Sequence, residues 1–123
     1  MAKANVVEKK IRMSRRDIVK YQLVSHCFTN SIPHSDAELD CLTLLGVYGE
    51  CDLAEFCNLT VDENIFKVSQ TVRNFLTKAE KLQLIEKEGK SRKKIKLNDG
   101  LKIQTKGTIV LDYKIFYIES QEL

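Results

Sequence analysis

The stretch from Val68 to Leu97 constrains the fold most, because its apolar period changes partway along. Val68, Val72, Phe75, Leu76 and Ala79 recur at helical spacing, which gives one face fit for a core. The opposite face holds Lys67, Gln70, Asn74, Thr77 and Lys81, with Arg73 and Lys78 at its flanks. A helix built this way buries one side and shows a polar, largely basic side to solvent. From Leu84 the period falls to that of a strand. Leu84-Ile85-Glu86-Lys87 and Lys93-Lys94-Ile95-Lys96-Leu97 read as two strands around the glycine-containing turn Glu88–Arg92. The sequence therefore predicts a long helix from about Asn64 to Lys81 running into a basic hairpin.

That helix needs others to cover its apolar side. Ser14 with Asp17 three residues on makes a weakened capping box, and Ile18, Tyr21, Val24 and Phe28 follow at helical spacing, so a helix is expected from about Arg15 to Phe28. Ser35 or Asp36 starts a second, with Ala37, Leu39, Leu42, Leu45 and Gly46 along its stripe. Acidic Asp36 and Glu38 lie in its favourable first turn, and Gly49 closes it. Asp52 caps a short helix expected over Leu53–Cys57, and Asn58–Glu63 reads as a polar connection. Beyond the hairpin, Leu101–Thr105 and the β-branched, aromatic run Thr108–Ile118 read as strands of a β meander. That last run is apolar on both alternations, so it either packs between layers or contacts another chain by strand addition. Self-association or a protein partner through Thr108 to Ile118 is expected.

Helix, short helix, long helix, hairpin is the order of a winged helix-turn-helix. Ser69-Gln70-Thr71-Val72-Arg73-Asn74-Phe75-Leu76, then Glu80, then Leu84-Ile85-Glu86-Lys87 resembles the recognition helix and first wing strand of bacterial winged-helix regulators, most of all the multiple-antibiotic-resistance-regulator branch. Gln83 stands where that family usually has Gly, and Ala79 where it often has Leu. The resemblance, which spans about half the chain, implies a winged helix over residues 36–97; the sequence pattern itself adds a basic arm and helix over 1–35 and C-terminal strands over 98–123, an α+β fold in one compact domain. The resemblance also implies double-stranded DNA as partner. Arg73 would read guanine, and Gln70 and Asn74 adenine, in the major groove. Ser69 and Thr71 would bind phosphate. Lys67, Thr77 and Lys78 would lie along the same helix surface. Lys90, Arg92, Lys93 and Lys94 of the wing would follow the backbone or minor groove.

Charge is unevenly spread in a way that suits such a partner. Residues 1–20 carry seven bases and two acids, residues 21–66 carry eight acids and no Lys or Arg, and residues 67–123 carry thirteen bases and seven acids. A basic face near an acidic one orients a protein on a polyanion, or lets copies stack. The sequence holds no glycine-rich phosphate loop, no G-x-S-x-G and no H-E-x-x-H, and His26-Cys27 are sequence neighbours that point apart on a helix. A non-enzymatic binding protein without cofactor or metal is expected. Cys27, Cys41, Cys51 and Cys57 form no C-x-x-C pair and read as buried thiols, with a disulfide framework or zinc ligation beside His26 or His34 as rivals. No apolar run is long enough for a membrane span and Met1–Asn5 is no secretory signal, so a cytoplasmic or intravirion location is expected. Two functions follow: a transcriptional regulator, or a replication or packaging factor, of a bacterial phage or mobile element; or a virion assembly protein that uses the same fold to bind protein.

Overall fold

The computed structural model describes residues 6–10, 13–106 and 110–114, the first and last of these as paired backbone. In chain order the elements are β1 (Val6–Lys10), α1 (Arg15–Thr29), α2 (Asp36–Tyr48), β2 (Cys51–Asp52), α3 (Leu53–Asp62), α4 (Ser69–Lys81), β3 (Ile85–Glu88), β4 (Lys94–Leu97) and β5 (Val110–Lys114). The chain is α+β, with four helices and a three-stranded antiparallel sheet in the order β2-β4-β3 among the described residues. β1 and β5 form a second, two-stranded antiparallel sheet, with Val6 opposite Lys114 and Lys10 opposite Val110.

Local chemistry sets the helix starts. Ser14 Oγ accepts from Asp17 N at 3.1 Å to open α1. At α2 the box is complete: Glu38 N donates to Ser35 Oγ at 3.1 Å, and Ser35 N donates to Glu38 Oε1 at 2.8 Å. Asp52 accepts from Glu55 N at 3.2 Å to open α3. The caps of α1 and α3 each satisfy one backbone donor at a helix start, and the box at α2 satisfies two.

The helix ends share a less common solution. α1, α3 and α4 all close with a left-handed residue that is not glycine: Ser31 (φ 55°), Asn64 (φ 59°) and Gln83 (φ 61°). In each, two backbone donors fold back onto the last turn. Ile32 N reaches Cys27 O at 2.9 Å, Ile65 N reaches Thr60 O at 3.1 Å, and Leu84 N reaches Ala79 O at 2.9 Å. The partner bonds are Ser31 N to Phe28 O, Asn64 N to Val61 O and Gln83 N to Glu80 O. These are Schellman motifs, which satisfy carbonyls that would otherwise be unpaired. Gly49 at the end of α2 has φ 76°.

The core gathers Val19, Leu23, Leu39, Leu42, Leu44, Leu45, Phe56, Val72, Leu76, Ala79, Ile85 and Ile95, all under 5% exposed. At Gly46 of α2, side chains of α1 and β4 pack directly against the backbone. A Cβ there would stand 2.6 Å from Val19 Cγ1 and 2.8 Å from Leu97 Cδ1.

Four expectations need correction. α3 runs on to Asp62, because the segment expected as a polar connection buries Thr60, whose hydroxyl donates to Phe56 O at 2.8 Å. α4 begins at Ser69 rather than near Asn64, because left-handed Asn64 breaks the backbone and residues 65–68 bend. Val68, expected in the core, is its N-cap residue and is 55% exposed. Leu101–Thr105 forms no strand: Asn98 Oδ1 accepts from Gly100 N at 2.8 Å, a 3₁₀ turn follows, and Lys102 is left-handed (φ 52°). Among the described residues beyond Leu97 the one strand is β5, which pairs with β1. Of the run Thr108–Ile118, residues 108, 109 and 115–118 lie outside the described residues, so its partner surface is not placed.

Candidate nucleic-acid interface

α4 is the centre of the candidate site. Val72, Phe75, Leu76 and Ala79 are buried, which fixes the opposite side outward. Gln70, Thr71, Arg73, Asn74, Thr77, Lys78 and Lys81 are exposed, and Ser69 is half-buried. Lys67 is exposed but lies in the bend ahead of α4, not on its outward face as expected. Gln70 Nε2 donates to Asn74 Oδ1 at 2.9 Å, and Thr77 Oγ1 donates to Arg73 O at 3.0 Å.

The start of α4 differs from the other three. Its N-cap is Val68, which supplies no side-chain acceptor. The backbone donors of its first turn, near Ser69 and Thr71, are therefore open to an anion, and the helix dipole favours one there.

Ion pairs tie each flank of this face to a neighbouring element. On the Arg73 side, Glu80 pairs with Lys87 of β3 at 4.0 Å and with Arg92 in the turn between β3 and β4. These pairs link the hairpin and its turn to α4. Gly89, at φ 84°, opens that turn, and Ser91 and Arg92 also take positive φ. On the Thr71 side, Lys78 pairs with Glu38 of α2 at 3.4 Å. Burial alone would raise the Glu38 carboxyl, but its bonds from Ser35 and Lys78 outweigh that and hold it below the usual range.

These pairs sort the expected basic residues. Lys78, Arg92 and Lys94 each face a carboxylate of the chain itself, the last being Glu50 at 3.7 Å. Lys67, Arg73, Lys81, Lys90 and Lys93 make no ion pair among the described residues. Lys96 sits among Asp99, Glu88 and Glu86, at 3.1, 3.2 and 3.8 Å, and hydrogen bonds to Asp99 and Glu88 raise its pKa. The basic arm is partly spent the same way: Arg16 pairs with Glu63 and Lys20 with Asp40. Glu80, Glu38 and Glu50 were not legible as partners from sequence, because each pairs across elements whose approach only the fold defines.

All four cysteines are free thiols; Cys27, Cys41 and Cys57 are buried and Cys51 half-buried. Burial pushes Cys41 up to about 12 and Cys51 to about 11. Among the described residues no three His, Cys, Asp or Glu side chains gather as metal ligands. No helix of the described residues is long and apolar enough to cross a membrane. The chain matches no family model, no curated protein and no solved structure.

Proposed function

We propose that this chain is a winged-helix protein that binds double-stranded DNA, as a transcriptional regulator or a replication or packaging factor. The supporting order is α2, β2, α3, α4 and the β3–β4 hairpin, with β2 completing the sheet beside β4. One observation carries the reading: a helix whose uncapped start and outward Gln70, Arg73, Asn74 and Thr77 lie beside a basic hairpin turn, joined through Glu80 and Arg92. The helix would enter the major groove, with Arg73 the strongest base reader and Ser69 and Thr71 on phosphate. Lys90 and Lys93 of the turn would follow the adjacent backbone.

The test is fluorescence anisotropy with a roughly 30-base-pair duplex at about 50 and 200 mM salt, since phosphate contacts make affinity fall with salt. Wild type should bind and weaken in salt, and Arg73→Ala with Lys93→Ala should bind less. No binding at the lower salt refutes the reading. A second reading, an assembly protein using this fold for protein contacts, is favoured by the self-pairing of Lys78, Arg92 and Lys94, which leaves fewer free cations for phosphate. Stable incorporation into a particle with indifference to DNA would select it.

A further inference from the structure

The exposed polar groups of α4 follow an order. Gln70, Asn74, Thr77 and Lys81 run along its crest, opposite buried Val72, Phe75, Leu76 and Ala79. Arg73 lies to one side of that line and Lys78 to the other. The first three crest residues are neutral, and charges stand at both flanks. A helix laid in the major groove meets base edges with its crest and phosphates with its flanks, because bases form the floor of the groove and the backbones its walls.

Two hydrogen bonds decide what the crest offers. Gln70 Nε2 donates to Asn74 Oδ1 at 2.9 Å. That bond commits one Gln70 N–H and holds the Asn74 amide in place. Asn74 keeps one lone pair on Oδ1 and both of its own N–H groups. An acceptor and a donor on one amide are what adenine takes in the major groove, at its N6 and N7. Thr77 Oγ1 donates to Arg73 O at 3.0 Å, so its proton is spent on the helix backbone. Its methyl is left as the group for a partner, and a methyl there suits the C5 methyl of thymine. Asn74 and Thr77 stand three residues apart, about 4.5 Å along the helix axis. That is close to the roughly 3.4 Å between base pairs.

On the DNA reading above, we infer that α4 reads two adjoining A·T pairs: Asn74 takes the adenine of one, Thr77 meets the thymine methyl of the next, and Gln70 is the positioning residue that sets the Asn74 amide. Gln70 thus acts through Asn74 instead of reading an adenine of its own, as the sequence alone suggested. Arg73, on the hairpin side, is left for a guanine beyond them.

The experiment is selection from a duplex library randomised through its centre, with the full chain and sequencing of the bound fraction. Wild type should enrich two adjoining A·T pairs, and Asn74→Ala should lower the preference for adenine at one of them by at least about fivefold. Gln70→Ala should lower that preference more than it lowers affinity for the unselected library; a role in helix stability alone would weaken binding to all sequences alike. Thr77→Ser keeps the hydroxyl and should lose the preference for thymine at the neighbouring pair, which Thr77→Val should keep. Salt-sensitive binding with no enriched base, or an adenine preference untouched by Asn74→Ala, overturns the inference and leaves the DNA reading standing. An adenine preference unchanged in Gln70→Ala overturns the positioning role, and a thymine preference unchanged in Thr77→Ser overturns the methyl contact. Failure to retain any duplex at low salt overturns the DNA reading itself, and this inference with it.

Discussion

Replacing Gln83 by glycine should stabilise the chain, although it deletes a side chain and adds no new packing. Gln83 is the left-handed residue that closes α4 and turns the backbone into β3. Its side chain is exposed, so little packing is lost. A left-handed residue with a Cβ carries about 1–2 kcal/mol of steric cost, which glycine lacks. Glycine in turn adds unfolded-state entropy worth roughly 0.4–1 kcal/mol. The balance favours Gln83→Gly by about 0.5–1 kcal/mol. For a domain near 100 residues, 1 kcal/mol moves Tm by about 4–8 °C, so a rise of roughly 2–8 °C is expected. Ser31 and Asn64 supply internal controls at the same motif. Asn tolerates this conformation best of the three, so the gains should rank Gln83→Gly above Ser31→Gly above Asn64→Gly, the last near zero. Thermal melts by circular dichroism, with urea curves to check an unchanged m-value, measure the series. A Tm that falls or stays fixed in Gln83→Gly, or a larger gain at Asn64, would refute the steric argument.

Gly46→Ala should destabilise by about 1–3 kcal/mol, because its Cβ would press on Val19 and Leu97 and force the packed helix and strand apart; urea unfolding reads the loss. Glu80→Gln should release Lys87 and Arg92. If the DNA reading is right, it tightens duplex binding and steepens the salt slope by up to about 0.9 for each additional phosphate neutralised, while stability changes by no more than about 1 kcal/mol; unchanged binding counts against the hairpin as part of the DNA surface. The thiols should react slowly with Ellman's reagent at neutral pH. Cys51, raised to about 11, should label about tenfold faster per pH unit between pH 7 and 9, and Cys41, raised to about 12 and buried, should label only on unfolding. Rapid labelling of all four thiols in the native state would contradict the burial described.

The sequence was most legible where local chemistry decides. Ser14, Ser35, Asp52 and Gly49 mark helix limits by groups that bond within three or four residues, and the hairpin follows from Gly89 and alternating Ile95 and Leu97. It misled where tertiary packing decides. Asn58–Glu63 looked polar because Leu59 and Val61 are spaced among exposed groups, yet Thr60 hides its hydroxyl against the helix backbone. Phe66 and Val68 continued an apolar pattern across a break that only the left-handed Asn64 reveals. At the candidate site, the outward face of α4 was readable from periodicity. The carboxylates that tether Lys78, Arg92 and Lys94 were not, since Glu38 lies 40 residues from Lys78 along the chain.

The pairing of β1 with β5 has a consequence for synthesis. Lys10 meets Val110, so the first strand made must wait for about 100 further residues before its partner exists. At about 5–20 residues per second that interval lasts on the order of 5–20 s, while α1 to β4 can already assemble from contacts closer in sequence. During it β1 offers an unpaired edge to any strand nearby, including β5 of a chain finished earlier on the same message. A crowded polysome therefore favours exchange of these end strands between neighbours, and a sparse one favours closure within a single chain.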